Sequence, residues 1–241
     1  MKNPHLAEEE LSTEELISLA DQLGDLGVKS VSISGGEPFM RKDLVQFVRA
    51  LKKKKMWVNV TTNGSLLSEK NRQGLIQAGL DSLTVSIDGT EDVHAMLRGG
   101  FSFQEIFSNL KDLALQRERY GNGTLSLNVA STITGENVKS IIELNKALAR
   151  ERPDINHIFE SLVSFSEQFG LDREDEKVCR LPVDDTQMGW LLAHLPRGKD
   201  RFTYRLMRRY NAGKMSFPSL FHPCLAGLFN IVISETGNVL P

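Results

Sequence analysis

The chain has 241 residues, enough to bury a substantial core as one large or two modest domains. Charged residues make up 25% and hydrophobic ones 40%, and a formal net charge of −2 supplies no electrostatic case for nucleic acid or an anionic membrane. No apolar stretch reaches the length of a membrane span, and Met1-Lys2-Asn3-Pro4-His5 has no signal-like apolar core. The only cysteines, Cys179 and Cys224, exclude a disulfide framework, and together these absences favour a cytoplasmic location.

Helical and strand patterns then alternate along the chain. Leu11 to Leu26 sets Leu16, Leu19, Ala20, Leu23 and Leu26 on one face, and Ser12 with Glu15 makes a capping box. The β-branched run Ser30 to Ser34 follows, then a helix marked by Leu44, Val45, Phe47, Val48 and Leu51. Lys52 to Lys55 read as its solvated end, favourable beside the C-terminal dipole. Met56 to Thr62 is a second strand, and a third helix is capped by Ser68 and closed by Gly79. Ser82 to Ile87, a helix over 102–120, Leu125 to Ile133, a helix over 136–150 and Ile155 to Val163 complete the series. Such alternation predicts a parallel sheet with right-handed crossovers, hence a full or partial α/β barrel over residues 1–163.

The pattern stops near residue 164. Residues 164–183 are polar, with the charge-dense Asp172-Arg173-Glu174-Asp175-Glu176-Lys177, and read as a linker. Short helices are expected around 184–195 and 201–213. Phe229 to Ser234, a turn at Glu235 to Asn238, and Val239-Leu240-Pro241 then spell a β-hairpin. Residues 164–241 are thus a linker plus the beginning of a small α+β extension, expected to continue past the hairpin.

In a parallel α/β barrel, chemistry collects at the C-terminal ends of the strands. The first end carries Ser34-Gly35-Gly36-Glu37-Pro38, where two glycines bare the backbone and Pro38 biases Glu37 toward an extended conformation. An edge of carbonyls beside a carboxylate suits an ammonium group. The second end carries Thr61-Thr62-Asn63-Gly64. The third has Ser86-Ile87-Asp88-Gly89, followed by His94 and Arg98-Gly99-Gly100, the fourth Asn128, Ser131 and Thr132, and the fifth Glu160 and Ser161. Singly, Asn63-Gly64 and Asp88-Gly89 are ordinary turn dipeptides, Arg98 a surface ion-pair partner and His94 a helix-start packing or solvent-facing residue. Three polar ends on consecutive strands, one strand–helix unit apart, are harder to obtain from turn chemistry alone.

This ordered set, SGGEP then TTNG then VSIDG with a downstream H-x-x-x-R-G, resembles the radical S-adenosylmethionine (radical SAM) superfamily over roughly residues 10–163. The resemblance implies a partial (β/α) barrel whose Gly35, Gly36 and Glu37 receive the amino group of S-adenosylmethionine. Ser86 and Arg98 would meet its carboxylate, and Asn63 or Asn128 its ribose or the pocket wall. It further implies a 4Fe–4S cluster and an electron donor, cleavage of the cosubstrate to a 5′-deoxyadenosyl radical, and hydrogen abstraction from a substrate. The cluster loop of the family, Cys-x-x-x-Cys-x-x-Cys, is absent, as is the strand preceding it, and both are expected upstream. The alternative is a cluster-free relative that serves as a binding or scaffold partner. An ordinary barrel lyase or aldolase would want a Schiff-base lysine or metal ligands that these strand ends do not offer. His222-Pro223-Cys224-Leu225-Ala226-Gly227 resembles the start of a SPASM or twitch extension, which implies Cys224 as ligand of an auxiliary iron–sulfur cluster and a peptide or protein as substrate. Cys179 has no such context and reads as structural.

Overall fold

A computed structural model describes residues 10–120, 124–161, 185–194 and 232–240. Its strands β1 (Ser30–Ile33), β2 (Trp57–Thr62), β3 (Ser82–Ser86), β4 (Ser126–Ile133) and β5 (Asn156–Ser161) form one parallel sheet in chain order. Helix α1 (Thr13–Asp25) precedes β1, and helices α2 (Leu44–Lys53), α3 (Glu69–Ala78), α4 (Glu91–Arg98), α5 (Phe103–Arg119) and α6 (Val138–Glu151) fill the connections. This is the α/β architecture the alternation predicts, with one addition: α4, between Thr90 and the left-handed cap Gly99, was not foreseen.

Local signals set these boundaries. Ser12 Oγ accepts from the Glu15 N–H at 3.2 Å while the Glu15 carboxylate accepts from the Ser12 N–H at 2.7 Å, closing the capping box. Ser68 caps α3 by accepting from the Asn71 N–H at 3.3 Å. Lys52 departs from the solvated reading, since its ammonium pairs with Asp81 at 2.5 Å.

The two faces of the sheet differ. Val58, Val60, Leu83, Val85, Leu127 and Val129 are fully buried and join Ala20, Val48, Leu51, Leu75, Leu110 and Leu144 of the helices in the main core. The opposite parity carries Ser32, Asn59, Thr84, Asn128 and Asn156, which hydrogen-bond from strand to strand. Asn59 donates to Ser32 at 3.1 Å and accepts from Thr84 at 3.2 Å, and Asn156 donates to Asn128 at 3.1 Å. A parallel sheet covered on both faces reads as a continuous apolar run, so this alternation marks a face that the helices of the described residues leave uncovered.

Beyond the sheet, α7 (Asp185–His194) contributes the buried Leu191 to a second cluster with Ile133, Val138, Ile141 and Ile142. Strands β6 (Val232–Ile233) and β7 (Val239–Leu240) pair antiparallel, as the hairpin pattern predicts, and Leu11 donates its N–H to the Glu235 carbonyl at 2.9 Å. The helix expected over 201–213 and both cysteines lie outside the described residues.

Candidate functional site

At the end of β1 the chain leaves Ser34, Gly35 and Gly36 exposed. Gly35 adopts φ +129°, a region side chains resist, and a Cβ added at Gly35 or Gly36 would meet no atom within 4 Å. Among the described residues none hydrogen-bonds to the backbone of either glycine. The edge is bare backbone facing open space.

Glu37, the carboxylate expected beside the ammonium, accepts three hydrogen bonds from the protein itself. Its Oε1 accepts from the Phe39 N–H at 3.1 Å and from the Thr62 hydroxyl at 2.7 Å, and its Oε2 accepts from the Asn63 N–H at 2.8 Å. Pro38 and Phe39 are buried in the short 3₁₀ turn Pro38–Met40 that Glu37 caps, so the side chain folds back onto β2. Glu37 therefore ties the glycine loop to the end of β2, using both oxygens inside the protein. Thr62, missed as a functional residue, is the buried half of that tie, and its hydroxyl also accepts from the Gly64 N–H at 3.0 Å.

Asn63 spends its Oδ1 on the Ser65 N–H and hydroxyl, at 2.9 and 2.7 Å, leaving Nδ2 without a partner among the described residues. Ser86 ends β3 half-buried, its Oγ likewise unpartnered among the described residues. Asn128 sits apart from this group. It is the third residue of β4 and pairs with Thr84, two positions below the Ser86–Ala130 level. Its Nδ2 donates to Ser82 at 3.0 Å, so it belongs to the floor of the polar face rather than to the strand end. Ser131 is fully buried on the helix side, donating to the Ile87 carbonyl and lying 2.8 Å from His157 Nε2. With that hydroxyl proton committed, His157 donates from Nε2 and accepts from Asn145 at Nδ1, at 3.2 Å; burial pushes its pKa down to about 3.

The densest network surrounds Asp88, which is 6% exposed. Oδ1 accepts from the Thr132 N–H at 2.8 Å and Oδ2 from Arg98 Nε at 2.5 Å. The Asp88 N–H donates to His94 Nδ1 at 3.3 Å, and its carbonyl accepts from Asn137 Nδ2 at 2.9 Å. Asn137, fully buried, also donates to the Thr132 carbonyl at 2.7 Å. The next residue explains itself sterically: a Cβ at Gly89 would lie 2.7 Å from Ser140 Oγ, which accepts from the Thr90 N–H at 2.7 Å. Asp88-Gly89 is thus more than a turn dipeptide; it docks β3 and α4 onto the first turn of α6. Asn137 was not singled out in the sequence, although a position just before a helical pattern is where an Asn carries structural weight.

Arg98 closes α4 before Gly99, and only its Nε is engaged; Nη1 and Nη2 have no partner among the described residues. His94 is 1% exposed on the same helix, with burial lowering its pKa, the Asp88 charge raising it and Arg98 lowering it again. Because Nδ1 accepts, Nε2 carries the proton, and it finds no hydrogen-bond partner among the described residues. His94 lies buried on α4 with its ring tilted against that of Phe103 at 6.5 Å between centroids. Among the described residues no group of three His, Cys, Asp or Glu side chains could hold a metal ion, and no helix is long and apolar enough to cross a membrane.

Residues 3–148 match the family model described as the radical SAM superfamily. The chain belongs to that superfamily. It is 31% identical over 150 residues to a PqqA peptide cyclase of Granulibacter bethesdensis, covering 62% of this chain and 39% of the relative. It is 32% identical over 147 residues to a GTP 3′,8-cyclase of Listeria welshimeri, covering 59% and 41%. The chain therefore spans about two-fifths of the length of these curated relatives. In fold it is similar to Streptococcus suis SuiB bound to precursor peptide SuiA, with a TM-score of 0.69 at 18% identity over 95% of this chain and 52% of SuiB. SuiB bound to S-adenosylmethionine aligns with a TM-score of 0.54 at 20% identity over 70% and 38%.

Proposed function

We propose that this chain forms the S-adenosylmethionine-binding wall of a radical SAM enzyme that abstracts hydrogen from a peptide or protein. One observation carries the reading: at Gly35 and Gly36 the backbone at the end of β1 is exposed, unpartnered among the described residues and faces open space. The ammonium of the cosubstrate meets backbone carbonyls there, held in place by Glu37 from behind. Ser86 Oγ and the two free nitrogens of Arg98 are the donors for its carboxylate, and Asn63 Nδ2 is a donor for the ribose. Asn128 supplies pocket wall. Peptide as substrate class is supported by the cyclase relatives named for a peptide and by the neutral amides and hydroxyls of the helix-free face.

The described residues do not fit a 4Fe–4S cluster, and none of the roles above passes through one. In this proposal three thiolates of a Cys-x-x-x-Cys-x-x-Cys segment, which the present sequence does not contain, would hold such a cluster, Cys224 would be a ligand of an auxiliary one, and the chemistry supplied, with a separate electron donor, would be reductive cleavage of S-adenosylmethionine. Reaction in the cytoplasm completes the reading.

Gly36→Val tests the site. The added Cβ clashes with nothing, so the melting temperature should hold, while S-adenosylmethionine affinity measured by titration calorimetry should fall about tenfold or more. Unchanged affinity would remove the ligand from this edge. With the cysteine segment present, anaerobic iron and sulfide loading and dithionite should release 5′-deoxyadenosine. Binding without any such product would favour the cluster-free scaffold instead.

A further inference from the structure

We infer that Asp88 is a positioning residue for the cosubstrate carboxylate, acting through Arg98; this rests on the reading of Arg98 as a carboxylate donor. Arginine on the last turn of an exposed helix ordinarily has a mobile head. Here Nε is fixed at 2.5 Å by a carboxylate that is itself immobile. Every polar atom of Asp88 is engaged: Oδ1 by β4, the N–H by α4, the carbonyl by Asn137 ahead of α6, and Oδ2 by Arg98. Three elements thus hold the carboxylate that anchors one guanidinium nitrogen. The bond is made at Nε rather than through the Nη fork, which leaves both terminal nitrogens, the pair that bonds a carboxylate bidentately, free for a ligand. The side chain of Arg98 is 31% exposed against 8% for Asp88, so the arginine presents a face outward while its anchor stays inside. Asp88 lies two residues past Ser86, and the anchored head belongs to the same strand end as that hydroxyl.

A competing account has Arg98 merely neutralising a buried carboxylate. Asp88→Asn separates the two. The asparagine carbonyl can keep the Thr132 N–H, but its amide then confronts Arg98 Nε with donor against donor and releases the guanidinium. Binding of S-adenosylmethionine and of its decarboxylated analogue is measured by titration calorimetry on the full chain, alongside melting temperatures. The expected result is a roughly tenfold loss for S-adenosylmethionine with the analogue unchanged. Arg98→Met leaves a buried carboxylate unpaired and is apt to unfold, so Asp88→Asn/Arg98→Met serves as the second variant; it should bind both ligands alike, no tighter than Asp88→Asn binds the analogue. Asp88→Asn that keeps the wild-type preference for the carboxylated ligand overturns the inference, whatever its stability. If the double variant regains that preference, Arg98 was only a counter-ion. A wild-type chain that binds both ligands equally defeats the Arg98 assignment itself, and one that binds neither defeats the site.

Discussion

Replacing Glu37 by alanine distinguishes a tie from a ligand. The change removes an ionised acceptor from three donors: the Phe39 N–H, the Asn63 N–H and the Thr62 hydroxyl. Hydrogen bonds to charged groups contribute about 1.5–3 kcal/mol each when enclosed. Glu37 is only half-buried, so water can replace part of its work at the two amides, and about 1 kcal/mol per donor is the more fitting figure. Thr62 is worse placed, being 2% exposed with its oxygen already accepting from Gly64. The sum is about 3 kcal/mol, which for a domain of this size lowers the melting temperature by roughly 6–12 °C. Glu37→Gln keeps one acceptor and turns its amide toward a donor, and should fall between the two at about half the loss. Scanning calorimetry of the three proteins measures the order. If Glu37→Ala melts within about 2 °C of wild type yet loses S-adenosylmethionine, the carboxylate serves the ligand directly and the tie is wrong.

Gly89→Ala should cost about 1–3 kcal/mol by overpacking, because the new Cβ falls 2.7 Å from Ser140 Oγ and 3.1 Å from a Val93 methyl; an unchanged denaturation midpoint would show that α6 does not press on this loop. His157, neutral in the fold with its pKa near 3, takes up a proton in the unfolded chain below about pH 6.5. Stability should therefore decline by up to about 1.4 kcal/mol per pH unit as pH falls through that window. His157→Gln, which cannot protonate, should lose this component of the slope; parallel stability curves from pH 7 to 4 would refute the assignment.

How far the sequence could be read follows from the range of each interaction. Helix ends such as Ser12–Glu15 and Ser68–Asn71 are settled within four residues, and strand positions by period-2 burial, so both were legible. The family motif was legible because its order follows the strand–helix repeat. Side-chain roles were not. Glu37 turns to Thr62, 25 residues on, and Asp88 to Thr132, 44 residues on, partnerships that parallel strand pairing creates and local composition cannot announce. The level of Asn128 was hidden for the same reason: strand register sets it two positions below the Ser86–Ala130 level. α4 escaped because eight residues make little more than two turns, too few for an apolar period to repeat.

The two acidic residues at the first and third strand ends, Glu37 and Asp88, both turn their carboxylates inward, and that fixes what the mouth of the sheet can recognise. A free carboxylate there would bind cations indiscriminately. With both engaged, the groups left without partners among the described residues are bare backbone at β1, the Asn63 amide nitrogen at β2, and the Ser86 hydroxyl and a half-engaged guanidinium at β3. Beneath them the face of Ser32, Asn59, Thr84, Asn128 and Asn156 satisfies many of its hydrogen bonds from strand to strand. Such a floor tolerates water or a ligand at similar cost, whereas an apolar filling would strip its remaining donors and acceptors of partners. Barrel interiors packed with Val, Ile and Leu are closed cores. Here the same position in the architecture carries amides and hydroxyls, so this face is not an apolar barrel core.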